Sequence, residues 1–265
     1  MSKTNNLPYF NPPHIKNNKP LTKHRIKQKE IANFLQRKFV PKIRREMPHH
    51  YLALQIPCKK LAFIKENSKR YPYFLRFDIR LYYPSIDHQV LLEKIPENYQ
   101  KLTGKPLSRK FQKYLKVIPD FLSQSPYNKG ISTGSKLSYI LSGIYLLGLD
   151  LNISNPFLRQ TDDYIIFCKK KEDPKYVLKY IVMPHIEELN LDLNEKKLSS
   201  GKFHRDRVDF IGFDFYAGYF SINEKKKEKF KQKITEITHL TKKKSEKSIV
   251  KLLNNKIFGF GHLPR

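Results

Sequence analysis

Two adjacent carboxylates, Asp162 and Asp163, stand in the stretch FLRQTDDYIIFCKKK between two apolar runs, Phe157-Leu158 and Tyr164-Ile165-Ile166-Phe167. Neighbouring acids at a strand tip repel each other, so the pair calls for a compensating charge, and a divalent metal is the natural candidate. Asp is equally at home in the turn of a solvated hairpin, and these residues alone leave the two readings even. A third carboxylate, Asp78, lies eighty-four residues earlier at the close of Tyr73-Phe74-Leu75-Arg76-Phe77-Asp78-Ile79. The aromatic and β-branched content of that run predicts a buried strand. An ionised Asp finishing such a strand is costly to bury without a cation. It is also too far from the helix expected near Pro84 to cap it, a job for which Ser85 or Asp87 is better placed. Asp78 therefore reads as a metal ligand.

The elements that must position these acids follow from the rest of the chain. Its 265 residues, 39% hydrophobic, suffice for a real core in one large domain or two small ones. Fifty-two Lys and Arg against twenty-four Asp and Glu give a net charge of +28, which points to a polyanionic partner, nucleic acid above all; a membrane surface is the weaker fit. Cys58 and Cys168 are far apart and in no CxxC spacing, so neither a zinc site nor a disulfide framework is indicated. The N-terminus lacks a signal peptide's apolar core, and Ser138, Ser142, Gly143 and Gly148 interrupt the longest apolar run, near Leu137 to Leu151. The chain reads as cytosolic and without a membrane span.

Residues 1–48 hold twelve Lys and Arg and two acids, with Pro8, Pro12, Pro13 and Pro20 near the front. This predicts an extended arm, then a basic helix within Thr22–Arg45 carrying Ile26, Ile31, Phe34, Leu35 and Phe39 on its apolar side. Tyr51–Ser68 reads as a second helical region, broken or entered at Pro57. Helices are expected over Asp87–Ile95 and Ser108–Leu122. The small-residue loop Gly130–Lys136 precedes a helix with Leu137, Ile140, Leu141, Ile144, Tyr145 and Leu149 inward, and its backbone amides can approach a ligand closely. An amphipathic stretch over Pro174–Leu189, re-entered at Pro184, leads to LDLNEKK, then to a strand over Val208–Phe215 and a hairpin turn at Ala217-Gly218-Tyr219. From Glu224 onward thirteen Lys and Arg face four acids. Phe230, Ile234, Ile237 and Leu240 form one apolar stripe on this basic tail, and Ile249, Leu252, Leu253 and Ile257 another.

Taken in order, these pieces resemble the polymerase core of a reverse transcriptase over residues 73–223. FDIRLYYPSI resembles motif A, GISTGSKLSYILSGIYLLGLD motif B, TDDYIIF the motif C hairpin, LNLDLNEKKL motif D and FIGFDF motif E. Each alone is weak, and five in sequence are strong. The resemblance implies an α+β right-hand fold: a basic N-terminal arm with reduced fingers over 1–72, a palm with an antiparallel sheet and interleaved fingers helices over 73–223, and a basic helical thumb over 224–265. It implies phosphoryl transfer to a 3′-hydroxyl with two Mg²⁺ ions, for which Mn²⁺ can substitute, about 3.5–4 Å apart. Asp78 and Asp162 would bridge the ions, Asp163 would lie beside them, and Ile79 would offer its carbonyl. Tyr83 falls at the family's gate against a 2′-hydroxyl; as neighbours on a strand, Tyr82 and Tyr83 would point to opposite faces. Thr133 and Gly134 would lie beneath the incoming nucleotide with Ser138 behind. Lys197, or else Lys196, would protonate the pyrophosphate, and Phe210, Ile211 and Gly212 would begin a primer grip running to Phe213.

The implied partners are an RNA template or non-coding RNA, the DNA product, deoxynucleotides and a second protein subunit. Gln160 replaces the usual Tyr before the acids, Ser132 a usual Pro and Gly143 a usual Asn, with no metal ligand lost. No K-x-R-x-I stretch stands before residue 73; Lys59, Lys60 and Arg70 are candidates without a pattern, which leaves template-restricted or template-independent synthesis open. The small size and motif B resemble the phage-defence branch, including abortive-infection relatives, and somewhat less the enzymes of diversity-generating retroelements. The reading from another class is a catalytically idle RNA-binding scaffold.

Overall fold

The computed structural model describes residues 23–47, 57–123 and 128–239, with parts of 245–254. The arm before residue 23, the Tyr51–Ile56 part of the second helical region, and Leu240 and Ile257 of the tail lie outside the described residues. Two helices lead in, α1 (Lys23–Glu46) and α2 (Pro57–Arg70), followed by strand β1 (Tyr73–Asp78). Then come α3 (Tyr82–Ser85), α4 (His88–Thr103), α5 (Arg109–Leu115), α6 (Ile118–Leu122), α7 (Lys136–Tyr145) and α8 (Leu147–Asn152). The hairpin β2 (Phe157–Gln160) and β3 (Asp163–Cys168) precedes a helical stretch of α9 (Asp173–Val177), a π-turn over Leu178–Val182 and α10 (Met183–Glu188). A 3₁₀ turn over Glu195–Lys197, strands β4 (Ser199–Lys202), β5 (Val208–Phe210), β6 (Phe213–Tyr216) and β7 (Tyr219–Ile222), and α11 (Glu224–Thr238) complete the order.

One antiparallel sheet runs β2-β3-β1-β4 and a second β5-β6-β7. The central sheet is covered on both faces, which is why β3 reads as a continuous apolar run after Asp163, and β1 as one broken only by Arg76 before Asp78, rather than as alternating patterns. Leu75, Phe77, Tyr164, Ile166 and Cys168 face a core filled by α1, α4 and α7. Phe74, Leu158, Ile165 and Phe167 face a second core with Leu61 and Ile64 of α2 and Phe203, Phe210, Phe213 and Phe215 beside or within the small sheet. The Cys168 thiol is buried, and burial pushes its pKa up to about 12.

Three local expectations are corrected. Ile26 is 54% exposed, because five residues carry it about 140° round the helix from Ile31, away from the packed stripe. Val208–Phe215 is not one strand: Ile211 and Gly212 take φ of 48° and 78°, reversing the chain into the β5–β6 hairpin. Tyr82 and Tyr83 do not follow β1 as a strand, since Leu81 enters the left-handed region at φ 46° and turns the chain into α3. The π-turn has a clear cause. Pro184 cannot donate to the carbonyl four residues back, and the Met183 N–H instead reaches Leu178, one residue further.

Candidate active site

Register brings the first two acids together. Asp78 ends β1 directly opposite Asp163, the first residue of β3, and positions of equal parity place Phe74, Arg76 and Asp78 on one face with Asp163, Ile165 and Phe167. Thr161 and Asp162 form the two-residue turn between β2 and β3, with Thr161 at φ 60°. The Ile79 N–H donates to the Asp162 carbonyl at 3.2 Å, tying that turn to the end of β1, and Ile79 itself bridges to Leu193.

Two cations serve these acids. Lys197 Nζ lies 2.7 Å from Asp78 Oδ2, while Asn194 Nδ2 donates to Oδ1 at 3.2 Å and the Asn194 N–H to the Asp78 carbonyl at 2.8 Å. Lys196, its exposed neighbour on the same 3₁₀ turn, makes no ion pair among the described residues. Arg76 is 3.4 Å from Asp163 Oδ2 along the sheet diagonal. Asp163 Oδ1 remains buried with no donor. Burial is the main reason that the pKa of Asp162 is pushed up to about 6 and that of Asp163 to about 7; Asp78 adds repulsion in both cases, and Arg76 opposes the rise at Asp163.

Behind the turn lies a second ion pair that is wholly buried. Arg159 donates through Nη2 to Asp150 Oδ2 at 2.5 Å and to the Gly143 carbonyl at 3.1 Å, and through Nη1 to the Thr161 carbonyl at 3.0 Å. Tyr164 donates to the other oxygen of Asp150 at 2.8 Å. The guanidinium thus fastens the acid-bearing turn to α7 and α8. On the other side Gln160 accepts a hydrogen bond from the buried Lys60, whose pKa burial lowers to about 8. Arg70 instead pairs at the surface with Glu66.

The small-residue loop comes to the same place. Its Gly130 N–H bonds the Ile86 carbonyl at 2.8 Å and its Ile131 N–H the Tyr83 carbonyl at 2.9 Å. At Gly130, φ is 86° and a Cβ would stand 3.1 Å from the Pro84 carbonyl oxygen, so only glycine allows this approach. Thr133 is half-buried and Gly134 exposed, with open space around its missing Cβ. Ser138 is buried and turned to Ser135, the N-cap of α7, at 2.8 Å. Tyr83 receives the Ser142 hydroxyl at 3.1 Å; burial is the main cause of its raised pKa, and the charge of Asp162 adds to it. Phe210 is buried, whereas Ile211 and Gly212 form the half-buried hairpin tip against Lys226, whose ammonium stands 4.0 Å from the Phe213 ring.

A family model of the reverse transcriptases, RNA-dependent DNA polymerases, matches residues 12–215. The chain belongs to the reverse transcriptase family. No curated protein matches it. Among solved structures, apo telomerase from Candida tropicalis truncated from its C-terminal domain is similar at TM-score 0.56 and 16% identity, over 74% of this chain and 45% of that one. The fuller apo telomerase of the same organism gives 0.57 and 15%, over 74% and 40%. Telomerase from Candida albicans bound to a fragment of telomeric RNA gives 0.54 and 14%, over 74% and 38%. The fold is that of a right-hand polymerase, and this chain spans less than half the length of each of those telomerase chains.

Reverse transcriptases in general use divalent metals, and the carboxylates can be tested against that need. Their hard oxygens suit Mg²⁺ or Mn²⁺, and the buried, donorless Asp163 Oδ1 is an acceptor in want of a cation. Among the described residues, however, no three such groups converge closely enough to hold a metal as the side chains stand. Lys197 and Arg76 already sit on two of the acids. The donor chemistry suits such an ion, and Lys197 occupies the Asp78 oxygen that one would take.

Sequence reasoning missed Arg76, Asn194 and the Arg159–Asp150 pair. Arg76 was legible, being two residues before Asp78 on a strand and hence on the same face.

Proposed function

We propose that the chain is a metal-dependent DNA polymerase that adds deoxynucleotides to a 3′-hydroxyl on an RNA template. The observation carrying this reading is the opposed pair Asp78 and Asp163 with Asp162 on the adjoining turn, beside Tyr83 and the Gly130–Gly134 loop. Asp78, Asp162 and Asp163, with the Ile79 carbonyl, would hold two Mg²⁺ ions, which when bound supply charge neutralisation at the attacking and leaving oxygens. Lys197 would move from Asp78 to give its proton to the pyrophosphate. Tyr83 would exclude a 2′-hydroxyl, Thr133 and Gly134 would support the nucleotide with Ser138 stiffening the loop from behind, and Phe210, Ile211 and Gly212 would hold the primer end.

In this partition residues 73–223 act as palm, the preceding segment as reduced fingers and 224–265 as thumb. A role in phage defence, with a non-coding RNA or a second subunit, is the biological setting we favour. No described helix is long and apolar enough to cross a membrane. One observation favours the idle RNA-binding scaffold instead: the ion pairs of Asp78 and Asp163 relieve part of the repulsion that an unused site would otherwise have to tolerate. The test is to purify the chain with co-eluting RNA, supply Mg²⁺ and labelled deoxynucleotides singly and together, and compare Asp162→Ala. DNA synthesis that needs Asp162 establishes the polymerase, and RNase pre-treatment separates templated from untemplated synthesis. Equal silence of both proteins with native RNA and partners present hands the fold to the scaffold reading.

A further inference from the structure

The end of the central sheet away from the carboxylates carries a basic cleft. Tyr73 and Asp78 are the two ends of β1, five residue steps or about 17 Å apart, and Tyr73 lies in register with Lys202 of β4. There an open cleft of about 760 Å³ is lined by Lys171, Lys175, Lys202 and Arg205, with Glu172 and Asp206 as its acids. Asp206 is already engaged, since its Oδ2 accepts the Lys202 N–H at 2.7 Å. Elsewhere lysines find acids one helical turn away, as in Lys27–Glu30, Lys227–Glu224 and Lys231–Glu228. Among the described residues none of the four cleft cations has such a partner.

Beside this cluster are two uncovered aromatic rings. Tyr176 and Tyr180 are 60% and 58% exposed, with centroids 5.0 Å apart. Pro174 and Val177 are buried and anchor the helix beneath them. Lys175 and Lys179 precede the two tyrosines along the same stretch, so a basic stripe runs next to an aromatic one. Lys179 Nζ itself lies 5.0 Å from the Tyr180 ring. A duplex keeps its bases stacked inside and cannot use exposed rings; unpaired bases can, while their phosphates need cations at short intervals.

We infer that this end of the palm is an accessory docking surface for single-stranded RNA, with phosphates over Lys171, Lys175, Lys202 and Arg205 and bases stacked on Tyr176 and Tyr180. The choice of RNA rests on the proposed function: in RNA-templated synthesis the strand that is unpaired away from the catalytic end is RNA, whereas new DNA leaves paired. None of these side chains belongs to the candidate active site.

The test uses the full chain and needs no polymerisation, so it stands whether or not the catalytic reading does. A labelled mixed-sequence 12-nucleotide RNA, the same sequence as DNA, a hairpin duplex RNA and a poly-glutamate peptide are titrated by anisotropy. The bound RNA is also crosslinked with ultraviolet light and the adducts mapped by mass spectrometry. Crosslinks are expected at Tyr176 and Tyr180. Tyr176→Ala/Tyr180→Ala should weaken single-stranded RNA binding by about tenfold or more, and replacing the four cleft cations by Ala should lower the salt slope by about 3. Circular dichroism and primer extension should match wild type in both variants. Unchanged RNA affinity with crosslinks elsewhere overturns the proposal. So does equal loss of DNA or duplex binding, or a preference for the acidic peptide.

Discussion

Asp150→Asn keeps the shape of a buried side chain and removes the charge that neutralises Arg159. Both side chains are fully buried, and stripping one member of such a pair costs about 3–5 kcal/mol because the other is left as an uncompensated charge. For a chain of this size each kcal/mol moves the melting temperature by about 2–4 °C, so a loss of about 10 °C is expected by thermal denaturation. Removing the three side chains of the network together is a different perturbation. Asp150→Leu/Arg159→Met/Tyr164→Phe leaves no orphaned charge and no orphaned hydroxyl, and should recover most of that loss. Extension activity should not return with it, because nothing then donates to the Thr161 carbonyl to seat the turn bearing Asp162. Two results would refute this reasoning. Asp150→Asn costing under about 1 kcal/mol would deny the burial of the pair, and full activity in the triple variant would deny that Arg159 positions the turn.

Three further outcomes are expected. In EDTA the fold should lose stability as pH rises from about 5 to 8, because the pKa values of Asp162 and Asp163, about 6 and about 7 in the folded chain, exceed the unfolded value of 3.8. The folded state therefore binds the more protons in that window, and melting curves should show a drop on the order of a few kcal/mol that Asp162→Asn/Asp163→Asn abolishes. Lys197→Met removes the ammonium competing for Asp78; since Lys197 is about half exposed the gain is modest, and Mn²⁺ titration by electron paramagnetic resonance should tighten by up to about fivefold while primer extension slows. Tyr83→Ala should raise ribonucleotide incorporation in a competition assay; unchanged sugar selectivity would reject the gate.

The elements that carry the acids were readable because each has a strong local cause. β1 is an apolar run broken only by Arg76, the Asp162 turn follows Phe157-Leu158 and precedes the apolar run of β3, and Asp87 caps α4 by accepting from the Gln89 and Val90 N–H groups. Where reading failed, the deciding interaction was remote or conformationally unusual. Ile-Gly carries little of the turn signal that Asn-Gly does, so the Ile211-Gly212 reversal was hidden inside an apparently uniform strand. Leu81 gives no hint of a left-handed backbone, and with it went the strand parity assumed for Tyr82 and Tyr83. A lone Arg159 in a strand resembles a surface charge until Asp150, nine residues away and on a helix, is seen beneath it. Arg76 needed only the two-residue period applied one step further back.

Cys168 closes β3 opposite Tyr73, at the far end of the same strand pair that sets Asp78 against Asp163. A thiol so deeply enclosed and so reluctant to ionise is chemically silent while the core around it stays closed. In a chain with Cys58 replaced, the rate at which an alkylating reagent captures Cys168 becomes a clock for the opening of the core packed on that face of the sheet. The protein thus carries a built-in timer at one end of the strand pair whose other end holds Asp78 against Asp163.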